Sequence, residues 1–313
     1  PRPACGPSGE RTGPRMIIKG VAIEDTFAEA FGMRATRLII TADTADWAET
    51  AGRSLTGFAT SVIACGCEAA IEKRLASNET PDGRPGITVL IFAINSKELQ
   101  KQLQLRVGQC VLTTVGSACF SGLEAAEQLK LGGQLRYFGD GFQIAKKIGE
   151  RRYWRIPVMD GEFLCEDQVG MTRGVGGGNF LIIGRNTRTV RAAAERAIAA
   201  MTRIPNIIMP FPGGVARSGS KIGSKYKGLP ASTNDAYCPT LKAETASKLP
   251  AEAGSVLEFV IDGLTADDIS AAMRAGIAAA CDVEAAGDVL QITAGNYGGK
   301  LGQFKFHLRE LMA

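Results

Sequence analysis

Apolar positions along this chain switch between two periods, and the same switch occurs four times. Residues 37–41 are apolar and β-branched. Asp43 or Thr44 can then cap a helix in which Trp47, Ala51 and Leu55 recur every fourth residue, and residues 60–64 return to strand character. Residues 87–94 read as a buried strand, a helix from Ser96 carries Leu99, Leu103 and Val107 on one side, and residues 110–115 read as the returning strand. Residues 179–183 form a third such strand, Val190, Ala194, Ala197 and Met201 lie on one helical stripe, and residues 206–209 return. In the fourth unit a strand at 256–262 precedes the capping box Thr265-x-x-Asp268. Ile269, Met273, Ile277 and Cys281 form an apolar stripe, and residues 289–293 close the unit.

Two strand–helix–strand units pair into a split β-α-β layer with helices on one face. Four units therefore predict an α+β chain of two ferredoxin-like lobes, covering residues 16–160 and 161–313. Alternating units can also build one doubly wound parallel sheet, but the turns after these strands carry no phosphate-binding glycine fingerprint. Residues 1–15 hold four prolines, three glycines and three arginines without an apolar core, and read as a disordered extension.

Composition narrows the chemistry. The chain has 313 residues, 45% apolar and 22% charged, which suits a globular protein with a sizeable core. A net charge of +4, with no Lys/Arg run longer than two, gives no nucleic-acid footprint. No apolar run approaches the ~18 residues of a membrane helix. Eight cysteines are scattered without a pairing framework, so reduced thiols in cytoplasm are expected. The lone histidine, His307, reads as the outward partner of buried aromatics on a strand, which argues against a histidine-based triad or zinc site.

Polar, glycine-punctuated stretches remain as candidate sites. Residues 230–240, Pro-Ala-Ser-Thr-Asn-Asp-Ala-Tyr-Cys-Pro-Thr, form an ordered loop presenting Asn234, Asp235, Tyr237 and Cys238; an Asx-turn explains Asn234 and Asp235 equally well. Cys238 has no sequence-adjacent base or cation and reads as a packed thiol. The glycines at 174 and 176–178 precede a strand rather than follow one, the wrong context for a phosphate loop. Ser218-x-x-Lys221 lacks the companion motifs of acyl-transfer serines and reads as a basic loop, with Lys221, Lys225 and Lys227 able to meet an anion. Glu258 stands apart. Alternation puts Val256, Glu258, Val260 and Asp262 on one sheet face, so the Glu258 carboxyl should be desolvated and its pKa raised. A proton donor and a buried structural carboxylate are both consistent with that position.

Together these stretches resemble one family, the formylmethanofuran–tetrahydromethanopterin formyltransferases. The matching signatures are Ile23-Glu-Asp-Thr-Phe-Ala-Glu-Ala-Phe31, residues 79–86, 138–143, Gly177-Gly-Asn-Phe180, 210–214, 218–225, 229–240, Gly263 and 294–303. The likeness runs from Met16 to the C-terminus, and the basic, alanine-rich surface is similar to the bacterial branch of methylotrophs. The resemblance implies a cytoplasmic homo-oligomer, typically tetrameric, with no metal or prosthetic group. Methanofuran and tetrahydromethanopterin would serve as one-carbon carriers. It implies formyl transfer between the methanofuran amine and N5 of tetrahydromethanopterin. In the bacterial branch the transfer would run towards methanofuran, within a complex with hydrolase subunits. The family's acid falls on Glu258. Substrate contacts are expected from Asn234, Asp235, Tyr237, Gly213, Gly214, Asp140, Gln143, Lys221, Lys225, Lys300 and Gln303. Two alternatives remain: a mainly structural subunit of such a complex, or a formyltransferase using tetrahydrofolate.

Overall fold

The computed structural model describes residues 16–282 and 288–313; the expectation for residues 1–15 lies outside them. The first lobe is built on Phe27–Thr41, Cys67–Leu75, Gly86–Ala93 and Ala118–Ser121, in the spatial order Cys67–Leu75, Gly86–Ala93, Phe27–Thr41, Ala118–Ser121, all antiparallel. Helices Ala45–Thr56 and Ser96–Arg106 cross between them. The second lobe repeats the plan with Gln168–Gly184, Ile207–Ile208, Ser255–Gly263 and Val289–Thr293, ordered Ile207–Ile208, Ser255–Gly263, Gln168–Gly184, Val289–Thr293. Its helices are Thr187–Met201 and Ala266–Ala280. Both are split β-α-β arrangements, the α+β architecture predicted from the four repeated units.

The long strands join the lobes. Gly32–Ala35 of the first pairs with Thr172–Val175 of the second, so one sheet continues across both. Met16–Ile18 and Val21–Ile23 join this sheet beside Val289–Thr293, and Val21, Ile23, Ala28 and Ala30 pack in the same core as the two C-terminal helices. Both predicted helical stripes of the C-terminal half are buried, from Val190 to Met201 and from Ile269 to Cys281. Thr265 and Asp268 close the capping box reciprocally.

Two strands lie elsewhere than the pattern predicts. Residues 60–64 contribute only Thr60–Ser61 to the sheet; Ser61 then caps a short helix, Val62–Cys65, and Gly66 in the left-handed region turns the chain into the true second strand, Cys67–Leu75. That strand carries Glu68, Glu72, Lys73 and Arg74, whose charges conceal its alternation. Residues 110–115 are not a strand because the preceding helix runs on through a π-helical turn, Val107–Val111, burying Val107 and Val111 at helical spacing. The returning strand is Ala118–Ser121. Trp47 is also not on the buried stripe: it is 42% exposed, and Ala48 takes the inner position.

Candidate active site

Register defines the centre of the site. Glu258 pairs with Leu181, and Leu181 on its other side pairs with Thr293, so the three side chains form a row on one face of the second sheet. The opposite face carries Phe180, Ile182, Phe259, Ile261 and Ile292, buried against the two helices. Alternation therefore forces Glu258 away from the helical layer. There it is covered by loops rather than by a second sheet.

Three loops converge on its carboxyl. Ala216 pairs with Glu258 through reciprocal backbone hydrogen bonds of 2.8 and 2.9 Å. A Cβ at Gly219 would stand 2.9 Å from Glu258 Oε2, and one at Gly295 would stand 3.7 Å from Oε1. Both glycines thus let backbone approach the acid closely. Among the described residues no hydrogen-bond donor or cation reaches the carboxyl. Burial without such partners pushes its pKa up to about 7.

The titratable groups nearest the acid are two tyrosines. Tyr237 is half-buried and its phenol hydrogen-bonds Thr293; burial first, then the charges of Glu24 and Glu258, raise its pKa. Burial and the charges of Glu258 and Glu29 likewise raise that of Tyr297. Asn234 donates its N–H to Gly219 O at 2.9 Å, tying the 230–240 loop to the loop over the acid. Lys221 and Asp235 form an ion pair at 2.7 Å beside it, which holds the Asp235 carboxyl below the usual range.

Of the residues expected from sequence, Glu258, Asn234, Asp235, Tyr237 and Lys221 thus lie in one neighbourhood. Gly213 and Gly214 form the turn that leads into Ala216, both with positive φ, and Gly214 packs on Ile198 and Met209. Lys225 is exposed in the hairpin between Ser220–Ile222 and Ala231–Thr233. Lys300 is exposed on the 294–303 loop, and Gln303 Oε1 accepts the N–H of Gly32 at 3.2 Å. Asp140 and Gln143 are not part of this cluster. They sit in a turn packed on Arg151–Val158, four strands along the sheet from Gln168–Gly184, where Gln143 accepts the Gly141 N–H. Cys238 is packed as expected, its thiol bonded to Asn234 O at 3.4 Å. Among the described residues no cluster of His, Cys, Asp and Glu could hold a metal ion.

Three contributors carry no motif of their own. Asn179 is 8% exposed and clasps Gly295, accepting its N–H at 2.6 Å and donating to its carbonyl at 3.0 Å. Tyr297 is drawn in by Glu29, whose carboxylate accepts four backbone N–H groups, from Tyr297, Gly299, Leu301 and Gly302. Burial alone would raise the Glu29 pKa, but these donors outweigh it and hold it below the usual range. A lone carboxylate within the apolar alternation of residues 27–33 was the available signal, the same one that marks Glu258.

Sequence comparison decides what this constellation belongs to. The profile described as "Formylmethanofuran-tetrahydromethanopterin formyltransferase" matches residues 16–158, and "FTR, proximal lobe" matches residues 161–311. The chain belongs to the formylmethanofuran–tetrahydromethanopterin formyltransferase family. It is 64% identical over 298 residues to the Methylococcus capsulatus protein of that name, covering 95% of this chain and 100% of the relative. The formyltransferase/hydrolase complex of Methylorubrum extorquens, solved with methylofuran, contains a chain with a TM-score of 0.93 and 53% identity, over 96% of this chain and 99% of that one. The Methanosarcina barkeri formyltransferase superposes with a TM-score of 0.89 at 46% identity, over 95% and 100% of the two chains.

Proposed function

We propose that this chain is an N-formyltransferase that moves a formyl group between N5 of tetrahydromethanopterin and the amine of methanofuran, with Glu258 as its acid. The observation that carries the assignment of the acid is a half-buried carboxyl without a donor, at the meeting point of three loops, in a chain that matches the family over nearly its whole length. The likeness to bacterial relatives and to the chain in the formyltransferase/hydrolase complex supports transfer from formyl-tetrahydromethanopterin to methanofuran. It also supports residence with hydrolase subunits. We further assign a homo-oligomer in the cytoplasm; no described helix is long and apolar enough to cross a membrane.

The chemistry needs no prosthetic group. The acceptor nitrogen attacks the formyl carbon, a C–N bond forms, and negative charge collects on the former carbonyl oxygen. Protonated Glu258 gives its proton to that oxygen or to the departing nitrogen. The old C–N bond breaks, and the proton released by the attacking nitrogen restores the acid. A pKa of about 7 leaves a useful fraction of Glu258 protonated at neutral pH while keeping it able to give the proton up. Tyr237 and Tyr297 keep their phenolic protons and can donate to the carriers' polar groups. Asn234, Gly213 and Gly214 line the approach, and Lys221, Lys225 and Lys300 are placed to meet anionic groups on the carrier tails. Holding two large carriers in one cleft removes ~7–11 kcal/mol from the barrier by positioning alone.

The test is a steady-state transfer assay with both carriers, comparing parent and Glu258→Gln. The variant should remain folded and lose ~100-fold or more in kcat, the range for a general acid. Near-parental turnover removes Glu258 from the mechanism, and transfer to tetrahydrofolate alone overturns the substrate assignment.

A further inference from the structure

Among the described residues the acid has no donor, although the Gly295 backbone lies beside it. Gly295 flanks Glu258 closely: a single point, the Cβ position of Gly295, is 3.7 Å from Glu258 Oε1 and 3.2 Å from Asn179 Oδ1. Both polar groups of the Gly295 residue are already engaged. Its N–H goes to Asn179 Oδ1 and its carbonyl accepts from Asn179 Nδ2, with a further bond from the Glu29 N–H at 3.3 Å. Asn179 Nδ2 also donates to Gly177 O at 3.1 Å, so both amide N–H donors are used and the side chain is fixed in one orientation. Asn179 stands opposite Val260, one pleat from the Glu258–Leu181 pair and on the same sheet face. A side chain has here taken the role of a strand partner for the 294–303 loop.

A carboxylate attracts any free N–H in reach, and a backbone donor to the charged form lowers the pKa of the acid that accepts it. Glu29 demonstrates the effect in the same loop: four such donors hold it ionised despite near-complete burial. Glu258 faces the same glycine-rich segment and receives none. We propose that Asn179 is a positioning residue for formyl transfer, holding Gly295 against the acid while withholding its N–H from Glu258. This rests on the assignment of Glu258 as the acid. The titratable groups facing Glu258 are Tyr237 from the 230–240 loop and Tyr297 from the 294–303 loop. Glu24 and Glu29 stand behind these tyrosines, and the Lys221–Asp235 pair lies at the lip. None of these is altered by substitution at 179.

The prediction separates two variants. Asn179→Ala frees the Gly295 N–H to turn towards Glu258, so the alkaline limb of the kcat profile moves to lower pH. At pH 8 kcat falls by ~10-fold or more, with KM changed by less than about threefold. Asn179→Asp is isosteric; its second oxygen replaces Nδ2 against the Gly177 and Gly295 carbonyls, holds a proton there, and leaves an acceptor for the Gly295 N–H, so the limb keeps its parental position. The measurement is the pH dependence of kcat and kcat/KM for parent, both Asn179 variants and Glu258→Gln. A limb that stays in place in Asn179→Ala, or falls equally in both variants, overturns the role of Asn179. Should Asn179→Ala fail to fold, Asn179→Ser takes its place with the same expected fall, and an unmoved limb there overturns the proposal. A parental limb in Glu258→Gln instead overturns the assignment of the acid itself.

Discussion

Glu29 and Glu258 are the same residue in similar sequence settings, yet the fold gives them opposite ionisation. Each is a carboxylate within an apolar strand, and alternation marks both as buried. Glu29 meets four N–H groups and stays charged; Glu258 meets none and its pKa rises to about 7. Acid and structural anion could not be told apart from sequence, because donor placement depends on where the 294–303 loop returns. The difference is measurable as stability. A raised pKa means that the neutral carboxyl is favoured in the folded state. Its contribution is complete below the unfolded value of 4.5 and is lost as pH rises to about 7. Above that, the folded protein carries a desolvated charge whose cost is at most about 3 kcal/mol, since one pK unit is worth ~1.36 kcal/mol. Glu258→Gln should therefore melt at higher temperature than the parent at pH 8 and at nearly the same temperature at pH 4. Melting scans check this, and an equal gap at both pH values contradicts it. An enzyme that gains stability on losing its acid is one that has kept a costly group for its chemistry.

At the level of elements, glycines decide how closely the loops approach the catalytic strand. Gly219 is instructive because no positive φ is required there, so only space forbids a side chain. Gly219→Ala would bring a Cβ to 2.9 Å from Glu258 Oε2, and the flexible carboxyl, not the backbone, would yield. The expected result is a loss of ~10-fold or more in turnover, as displacement of a reacting group demands, with the melting temperature nearly unchanged. Parental activity would mean that the acid tolerates displacement. Legibility of elements follows the same physics. The helices of the C-terminal half were readable because one face alone is buried, from Ile269 to Cys281 without exception. Cys67–Leu75 was hidden because its charged residues include Glu68 and Glu72, which face the second lobe, and the strand expected at 110–115 was a helix continued by one π-helical turn. The site was legible in Glu258 and in the polar loop with Asn234 and Tyr237. Asn179 was not, since an amide one pleat from the acid becomes informative only when the loop it clasps is in place.

The whole molecule is one sheet shared by two lobes, and its seam holds two kinds of charge. Arg37 forms a two-toothed ion pair with Glu72 in the first lobe and reaches Asn206 of the second at 2.7 Å, while Glu72 accepts the Asn206 N–H. Nearby, Glu68 of the first lobe meets Asp262 of the second, four residues along the strand from Glu258. Asp262 is fully buried and accepts the Gly177 N–H at 3.1 Å, but its Oδ2 has no donor to accept from. Burial, and for Asp262 also the neighbouring carboxyl, push both pKa values up, as for any two acids sharing one dry site. The proton they share favours Asp262, the more deeply buried of the two, beside the Glu68 carboxyl. Raised values carry the same sign as at Glu258: the seam is strongest in acid and weakens as pH climbs through the folded-state titration of the pair. Asp262→Asn supplies a permanent donor in the same shape while keeping an acceptor for Gly177. Made in a Glu258→Gln background to silence the other raised group, it should flatten the pH dependence of the melting temperature. The variant should gain on its parent steadily from pH 5 to pH 9. If the two curves instead run parallel, the carboxyls do not share a proton and the seam rests on the shared sheet, packing and the Arg37–Glu72–Asn206 clamp.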